Sequence, residues 1–254
     1  MNLCMSIDTC LGDVKRIFDS IPRVEPYKNS VIGKDLALKL LDMDPEAAYS
    51  YAMDLGLSAL DLLELEEVCY VLCSDGDVVY VGRYRGGEVP TQAIATAIKR
   101  CKGIAAVLHS HPIPLPIPTI EDMISADSMG YRMECVVSKG DSKTWLTCVE
   151  PKDGWREVMK AMEGVLDAIM SRTSRFLVAS TDDTVMLLPY PSDREVELIL
   201  NDFSSRLREY AYVNSVVVEM RCRGTHPHPP ALAGVRRVSR AKHSYRVKHL
   251  IALL

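Results

Sequence analysis

The most constraining feature of the sequence is a short motif near its middle. His109, Ser110, His111, Thr119 and Asp122 follow the pattern H-x-H-x7-T-x-x-D. Two imidazoles and one carboxylate at this spacing are typical of a zinc ion with three protein ligands and one position open for water. An open zinc site favours hydrolysis by an activated water. The sequence therefore predicts a Zn²⁺ site with His109, His111 and Asp122 as ligands.

The local sequence explains how three ligands could meet at one point. The apolar run 104–108 predicts a buried strand, in which side chains two apart share a face, so His109 and His111 would point the same way. Four alternating prolines then prevent a regular strand or helix. Thr119 is a favoured helix N-cap, and Asp122 would lie in the first helical turn, where a carboxylate is stabilised. One alternative stays open: a capping box beside unrelated core histidines.

The motif resembles that of the JAMM metalloproteases, also called MPN-plus proteins, over roughly residues 57–150. The family motif has an upstream glutamate, then H-[ST]-H, seven residues, serine, two residues and aspartate. Thr119 occupies the serine position, which keeps the hydroxyl and adds a methyl group. The family includes deubiquitinases and archaeal relatives that cleave ubiquitin-like modifiers. The resemblance implies a zinc-dependent isopeptidase acting on ubiquitin-like protein conjugates, with Thr119 binding the water or stabilising the oxyanion.

The upstream glutamate of the family aligns with one of two neighbouring residues, Glu66 or Glu67. The family pattern is a glutamate followed by valine and an apolar run, and Glu67 aligns with it best. The resemblance implies that Glu67 is the general base and later the general acid. Two alternatives remain open: Glu66 takes this role, or both glutamates are solvated residues before a strand.

Apolar periodicity predicts an α/β protein in three parts. Residues 1–63 form an N-terminal helical region, residues 64–150 form the core, and residues 151–254 form a smaller C-terminal α/β domain with a basic tail. The core is predicted in the order ββαβαββ. The resemblance implies the mixed sheet of a JAMM/MPN-like core, whereas periodicity alone indicates only an α/β domain.

Several predicted elements can be compared directly with the structure. Apolar spacing predicts helices over 11–21 and 57–65 and a single amphipathic helix over 155–170. Ser192 and Glu195 form a predicted capping box that begins a later helix.

Composition narrows the class of protein. Hydrophobic residues make up 48% and charged residues 25%, which is typical of a globular protein in solution. No apolar run reaches the roughly 18 residues that a membrane span needs, and the first residues lack the basic region of a signal peptide. We therefore expect a cytoplasmic location. The eight cysteines contain no C-x-x-C pair, which argues against a zinc ribbon. Several of them lie in apolar runs, so we expect them to be buried as small side chains. Whether any of them form disulfides is left open by the sequence.

Charge is unevenly distributed along the chain. No acidic residue follows Glu219, whereas eight basic residues do. One interpretation is a patch for nucleic acid or an acidic partner. The favoured interpretation is docking of this tail on the acidic body through apolar anchors, among them Val235, Val238, Tyr245 and Leu250.

Two further functions are consistent with these features. One is an MPN-type scaffold, a binding module whose basic tail engages nucleic acid. The other is a zinc hydrolase for a small molecule or nucleic acid.

A second H-x-H motif consists of His226 and His228. No acidic residue or cysteine follows it, and we interpret it as part of a proline-rich loop.

Overall fold

A computed structural model describes residues 17–86, 89–181 and 184–218. Residues 17–20 are helical. The strands that follow are β1 (Val31–Gly33), β2 (Leu60–Asp61), β3 (Glu66–Cys73), β4 (Val78–Arg85), β5 (Ile104–Ser110), β6 (Glu134–Lys139), β7 (Thr144–Pro151), β8 (Arg175–Thr181), β9 (Thr184–Pro189) and β10 (Ala211–Val218). The helices are α1 (Lys34–Leu41), α2 (Pro45–Asp54), α3 (Thr91–Ile98), α4 (Ile120–Met129), α5 (Trp155–Ala161), α6 (Val165–Arg172) and α7 (Asp193–Leu207).

The larger sheet has six strands in the order β10-β7-β6-β5-β3-β4. Strands β5 and β6 are parallel, and the other neighbours are antiparallel. A parallel pair needs a crossover, and α4 supplies it. The predicted order ββαβαββ is confirmed from β3 to β7, and so is the mixed α/β class.

The smaller sheet is built around β8. Strands β1 and β2 pair with one edge of β8, and β9 pairs with its other edge. Strands from the predicted parts 1–63 and 151–254 therefore share a sheet. In addition, β10 extends the sheet formed by residues 64–150.

The predicted helix over 57–65 is wrong. The segment forms β2, which pairs in parallel with β8, and then a short 3-10 turn over Leu62–Glu64. Gly56, at φ 65°, ends the preceding helix, and the Asp61 side chain accepts a hydrogen bond from the Leu63 amide at 2.8 Å. Leu63 is 65% exposed, so it does not continue the apolar face that its spacing suggested. Pairing with β8 overrides local helix propensity.

The predicted helix over 155–170 is two helices, α5 and α6. Gly164 separates them at φ 79°, a conformation that glycine adopts without steric cost. The predicted capping box is confirmed: the Ser192 side chain accepts from the Glu195 amide, and the Glu195 carboxylate accepts from the Ser192 amide.

The two faces of the larger sheet carry separate apolar clusters. The front face packs against helices α3 to α7 in a cluster that includes Cys69, Val107, Trp145 and Phe203. The back face carries Val68, Leu108 and Val137, and contacts Ile17, Phe18 and Ile21. Alternation along each strand therefore decides which side chains reach the front face, where the candidate site lies.

Three of the cysteines expected to be buried are in disulfides. Cys73 bonds Cys101, and Cys135 bonds Cys148 across β6 and β7. Cys69 is a buried free thiol on β3. The burial predicted for Cys69, Cys73, Cys135 and Cys148 is confirmed, whereas their pairing was not predicted.

Within the part of the chain that the structure describes, no helix is long and apolar enough to cross a membrane. Some predictions fall outside that part. They concern the start of the 11–21 helix, the second H-x-H motif and the basic tail after Glu219.

Candidate metal centre

The two histidines lie where β5 ends. His109 belongs to the strand, and the amide of His111 still donates to the Val137 carbonyl of β6 at 2.9 Å. Both imidazoles are buried, and their Nε2 atoms lie 3.1 Å apart. Ser110 points to the opposite face, where its Oγ accepts from the Val68 amide at 3.0 Å. The strand alternation thus gives the two imidazoles a common direction.

Asp122 reaches the histidines from the first turn of α4. Thr119 is the N-cap, as predicted, and its Oγ1 accepts from the Asp122 amide at 3.1 Å. In return, Asp122 Oδ2 accepts from the Thr119 amide at 2.7 Å and from its hydroxyl at 2.8 Å. The capping box that was the alternative interpretation is therefore present. It also fixes the carboxylate, so capping and metal binding are compatible roles.

The ligand atoms form a small triangle. Asp122 Oδ2 lies 3.4 Å from His109 Nε2 and 3.8 Å from His111 Nε2, and the two Nε2 atoms are 3.1 Å apart. Ligand atoms 2.0–2.1 Å from a tetrahedral zinc ion lie about 3.3 Å from one another. One of the three measured distances is shorter than this value, and the other two are longer. His109, His111 and Asp122 could therefore hold a metal ion together.

The other ring nitrogens determine which tautomer each histidine adopts. His111 Nδ1 lies 2.9 Å from the Leu115 carbonyl, which can only accept, so Nδ1 carries the hydrogen. His109 Nδ1 lies 2.8 Å from Glu134 Oε1, where a carboxylate also favours N–H at Nδ1. Both neutral rings then present an Nε2 lone pair to the same point. Two facing lone pairs at this distance repel each other unless a positive charge, either a proton or a metal ion, lies between them.

The electrostatics of the cluster also favour a cation. Burial lowers the pKa of His109, but the carboxylates of Asp122 and Glu134 outweigh burial and hold that pKa well above its usual range. Burial raises the pKa of Asp122, and the neighbouring His109 outweighs it and holds the pKa well below its usual value. Positive charge is thus stabilised between these groups, as expected for ligands that surround a metal ion.

The loop between the histidines and α4 is packed into the protein. Ile113, Leu115 and Ile117 are buried in the front cluster. A buried loop usually leaves backbone N–H groups without partners, at a high cost in free energy. Four of its seven residues are prolines and have no N–H to satisfy. The proline alternation therefore permits burial and holds the Leu115 carbonyl against His111.

Glu66 and Glu67 point to opposite sides of β3. Glu67 is 6% exposed and lines the same cleft as His109 and Asp122. Glu66 binds Arg83 at 2.8 Å and Arg85 at 3.4 Å, and the hydrogen bond from Arg83 lowers its pKa. Of the two candidates for the general base, Glu67 is the one beside the proposed ligands.

Glu134 and Tyr131 were missed by the sequence interpretation. Glu134 is the first residue of β6 and is 1% exposed, and burial raises its pKa to about 7 although its bond to His109 opposes this. The Tyr131 hydroxyl donates to Glu134 Oε2 at 2.5 Å, and burial raises the pKa of that phenol. An acidic residue directly before the apolar run Cys135–Val137 was the feature that could have indicated a buried carboxylate.

The site opens into a cleft of about 410 Å³. Its apolar wall includes Leu62, Ile94 and Leu188, so residues from before and after the predicted core contribute to it. Along the described part of the cleft, the acidic side chains are those of Glu67, Glu121, Asp122 and Glu134, and no lysine or arginine lies beside them. The cleft therefore has room for a substrate segment beside the proposed metal ligands.

Replacing Thr119 by valine tests its hydroxyl. We expect Thr119→Val to retain zinc, because the Thr119 amide still donates to Asp122 Oδ2. For the hydrolytic site that the sequence predicts, turnover should be slower, and the free energy of unfolding should fall by roughly 0.5–2 kcal/mol through loss of the N-cap. Denaturant unfolding and turnover are measured together. Thr119→Ser should restore both, whereas Ser192→Ala, at the other capping box, should lower stability alone. Unchanged turnover in Thr119→Val would leave only the capping role.

All five predicted site residues line one cleft: Glu67, His109, His111, Thr119 and Asp122. No protein-family model, curated protein or solved structure matches the chain. The geometry and chemistry of these side chains are therefore what connects the protein to a function.

Proposed function

We propose that the protein is a zinc-dependent isopeptidase that cleaves conjugates of ubiquitin-like proteins. The observation that supports it most is the triangle of His109, His111 and Asp122, whose edges of 3.1, 3.4 and 3.8 Å fit a tetrahedral zinc ion. Three protein ligands leave a fourth position open, which distinguishes a catalytic zinc site from a structural one.

The chain supplies the remaining groups that amide hydrolysis needs. When bound, zinc lowers the pKa of a water ligand to about 7 and polarises a carbonyl group. Glu67, on the cleft wall, takes the proton of the attacking water and gives it to the leaving amine. The Thr119 hydroxyl donates to Asp122 Oδ2 in this structure; once that oxygen binds zinc, the hydroxyl would turn to donate to the water or the developing oxyanion, while the Thr119 amide continues to hold Asp122. Base, oxyanion donor and ligand set thus face one cleft.

The charge of the cleft supports an amide substrate over a phosphoester. Glu121 and Glu67 add negative charge beyond that of the ligand Asp122. Among the described residues that line the cleft, none is a lysine or arginine that could hold a phosphate or a free carboxylate beside the zinc ion. A neutral backbone amide or a lysine-linked isopeptide needs no such partner. This observation favours the isopeptidase over a hydrolase for nucleic acid.

The test is cleavage of defined conjugates. The probes are ubiquitin-like proteins ending in Gly-Gly, each joined through an isopeptide bond to a lysine of a fluorescent peptide. We expect the zinc-loaded protein to release the peptide, a chelator to abolish release, and added zinc to restore it. Mass spectrometry of the product should place the cut directly after the last glycine.

Asp122→Ala is the control for contaminating proteases. A preparation that contains one zinc per chain but cleaves none of the conjugates would contradict the proposed activity. Equal cleavage by the parent and Asp122→Ala would show that the activity belongs to another protein.

A further inference from the structure

We propose that Glu134, held by Tyr131, is a positioning residue that fixes the tautomer and the orientation of His109 for metal binding. The inference rests on the proposed zinc site and assigns a role to a buried carboxylate that takes no part in the hydrolytic step. The proposed substrate is not used in the argument.

The geometry of His109 requires such a partner. Its imidazole can rotate about the side-chain bonds, and a hydrogen bond at Nδ1 favours the rotamer in which Nε2 faces Asp122 and His111. Glu134 Oε1 lies 2.8 Å from Nδ1. The parallel pairing of β5 and β6 sets this distance, because Glu134 pairs with Val107 and the side chain of His109 lies on the same face two residues further along. The sheet register therefore places the carboxylate behind the ligand.

Glu134 is itself held in place. The Tyr131 hydroxyl donates to its second oxygen, Oε2, at 2.5 Å. Tyr131 is fixed in turn, since the Trp155 indole donates to the Tyr131 carbonyl at 3.0 Å. Tyr131 and Trp155 are both buried in the front cluster. A chain of contacts thus runs from the start of α5 through Tyr131 and Glu134 to Nδ1 of His109.

Stability alone does not explain this carboxylate. Glu134 is 1% exposed, and desolvating a carboxylate costs several kcal/mol before any pairing offsets it. Replacing a buried ion pair with apolar side chains of similar volume is often neutral or stabilising. A glutamate held between a tyrosine and a histidine is instead the arrangement that orients metal-binding imidazoles and raises their basicity.

The two histidines differ in a way that makes the role testable. His111 is oriented by the neutral carbonyl of Leu115, whereas His109 is oriented by a carboxylate. Glu134→Gln keeps an oxygen acceptor for Nδ1–H and removes the charge. Glu134→Leu removes both. Tyr131→Phe leaves Glu134 in place and removes its second hydrogen bond.

The experiment measures zinc affinity by competition with a chromophoric chelator. We expect Glu134→Leu to weaken zinc binding by about 10–100-fold, the usual effect of removing such a partner. Glu134→Gln and Tyr131→Phe should cause smaller losses. Thr147→Val is the matched control, because it removes a side-chain hydrogen bond between the buried Thr147 and Ser215 from the same sheet. It should leave zinc affinity unchanged.

Two spectroscopic measurements separate positioning from general stability. In the zinc-loaded parent, ¹⁵N NMR should show the hydrogen of His109 on Nδ1, and cobalt-loaded protein should give the absorption of a four-coordinate site. In Glu134→Leu the cobalt spectrum should change, and in Glu134→Gln it should stay close to that of the parent. Thr147→Val should match the parent in both measurements.

Parent-like zinc affinity and a parent-like cobalt spectrum in a folded Glu134→Leu variant would overturn the inference while leaving the proposed function intact. If that variant does not fold, unchanged affinity in both Glu134→Gln and Tyr131→Phe overturns it as well. A parent protein that takes up no zinc would contradict the proposed function, and this inference with it. Cleavage is not needed for any of these outcomes.

Discussion

Simultaneous replacement of His109 and His111 by alanine should abolish zinc binding. The parent protein should carry about one zinc per chain after dialysis, because three ligands with ligand-atom edges of 3.1, 3.4 and 3.8 Å match one tetrahedral ion. Asp122→Asn should weaken binding, since an amide oxygen can still accept from Thr119 but lacks the charge that stabilises a cation. The zinc content of the purified protein is measured by elemental mass spectrometry and divided by the protein concentration, which is determined by amino-acid analysis.

The second H-x-H of the chain provides a matched control. His226→Ala/His228→Ala likewise removes two histidines that are two residues apart, and it should leave zinc content unchanged. Loss of zinc in this control, with full zinc in the His109→Ala/His111→Ala variant, would mean that His226 and His228 bind the metal instead of His109 and His111. Zinc retained by both double variants would exclude both pairs as ligands.

Zinc should also stabilise the fold if it binds this site. A ligand present at a thousand times its Kd adds about 4 kcal/mol to the free energy of unfolding when it binds only the native state. The parent should therefore unfold at a higher temperature with zinc than with a chelator. The His109→Ala/His111→Ala variant should unfold at the same temperature in both conditions.

Local sequence patterns predicted the elements that carry the site, because each is determined by short-range physics. Alternation in β5 sends His109 and His111 to one face, and the N-cap preference of Thr119 begins α4 where the motif requires it. The same local rules fail over 57–65. There the pairing of Leu60 and Asp61 with β8, more than a hundred residues away in the chain, decides the conformation.

Long-range contacts account for what the sequence did not reveal about the site. Glu134 stands behind His109 only because β6 lies parallel to β5 in one register, which no local pattern encodes. Leu188 reaches the cleft through the pairing of β9 with β8. The pairing of Cys73 with Cys101 likewise depends on tertiary contacts, although the burial of Cys73 followed from its apolar surroundings.

Glu67→Gln should abolish most hydrolysis while leaving zinc content and fold unchanged. A positioned acid–base group contributes roughly 10²–10⁴-fold to the rate, so we expect a loss of roughly 10²-fold or more in the rate constant of cleavage. Glutamine has nearly the same shape and can still hydrogen-bond, but it cannot take a proton from water. The measurement is single-turnover cleavage of the isopeptide probe, with zinc content determined on the same samples.

Glu66→Gln is the matched control, one residue away on the same strand. Its carboxylate pairs with Arg83 and Arg85 on the other side of β3, so the substitution should lower the free energy of unfolding by at most that of a partly exposed ion pair, about 0–1 kcal/mol. The rate constant of cleavage should be nearly unchanged. A large rate loss in Glu66→Gln with an active Glu67→Gln would mean that the alignment with the family glutamate is displaced by one residue. Full activity in both variants would mean that neither carboxylate is the general base, and the proton would have to pass through another group on the cleft wall.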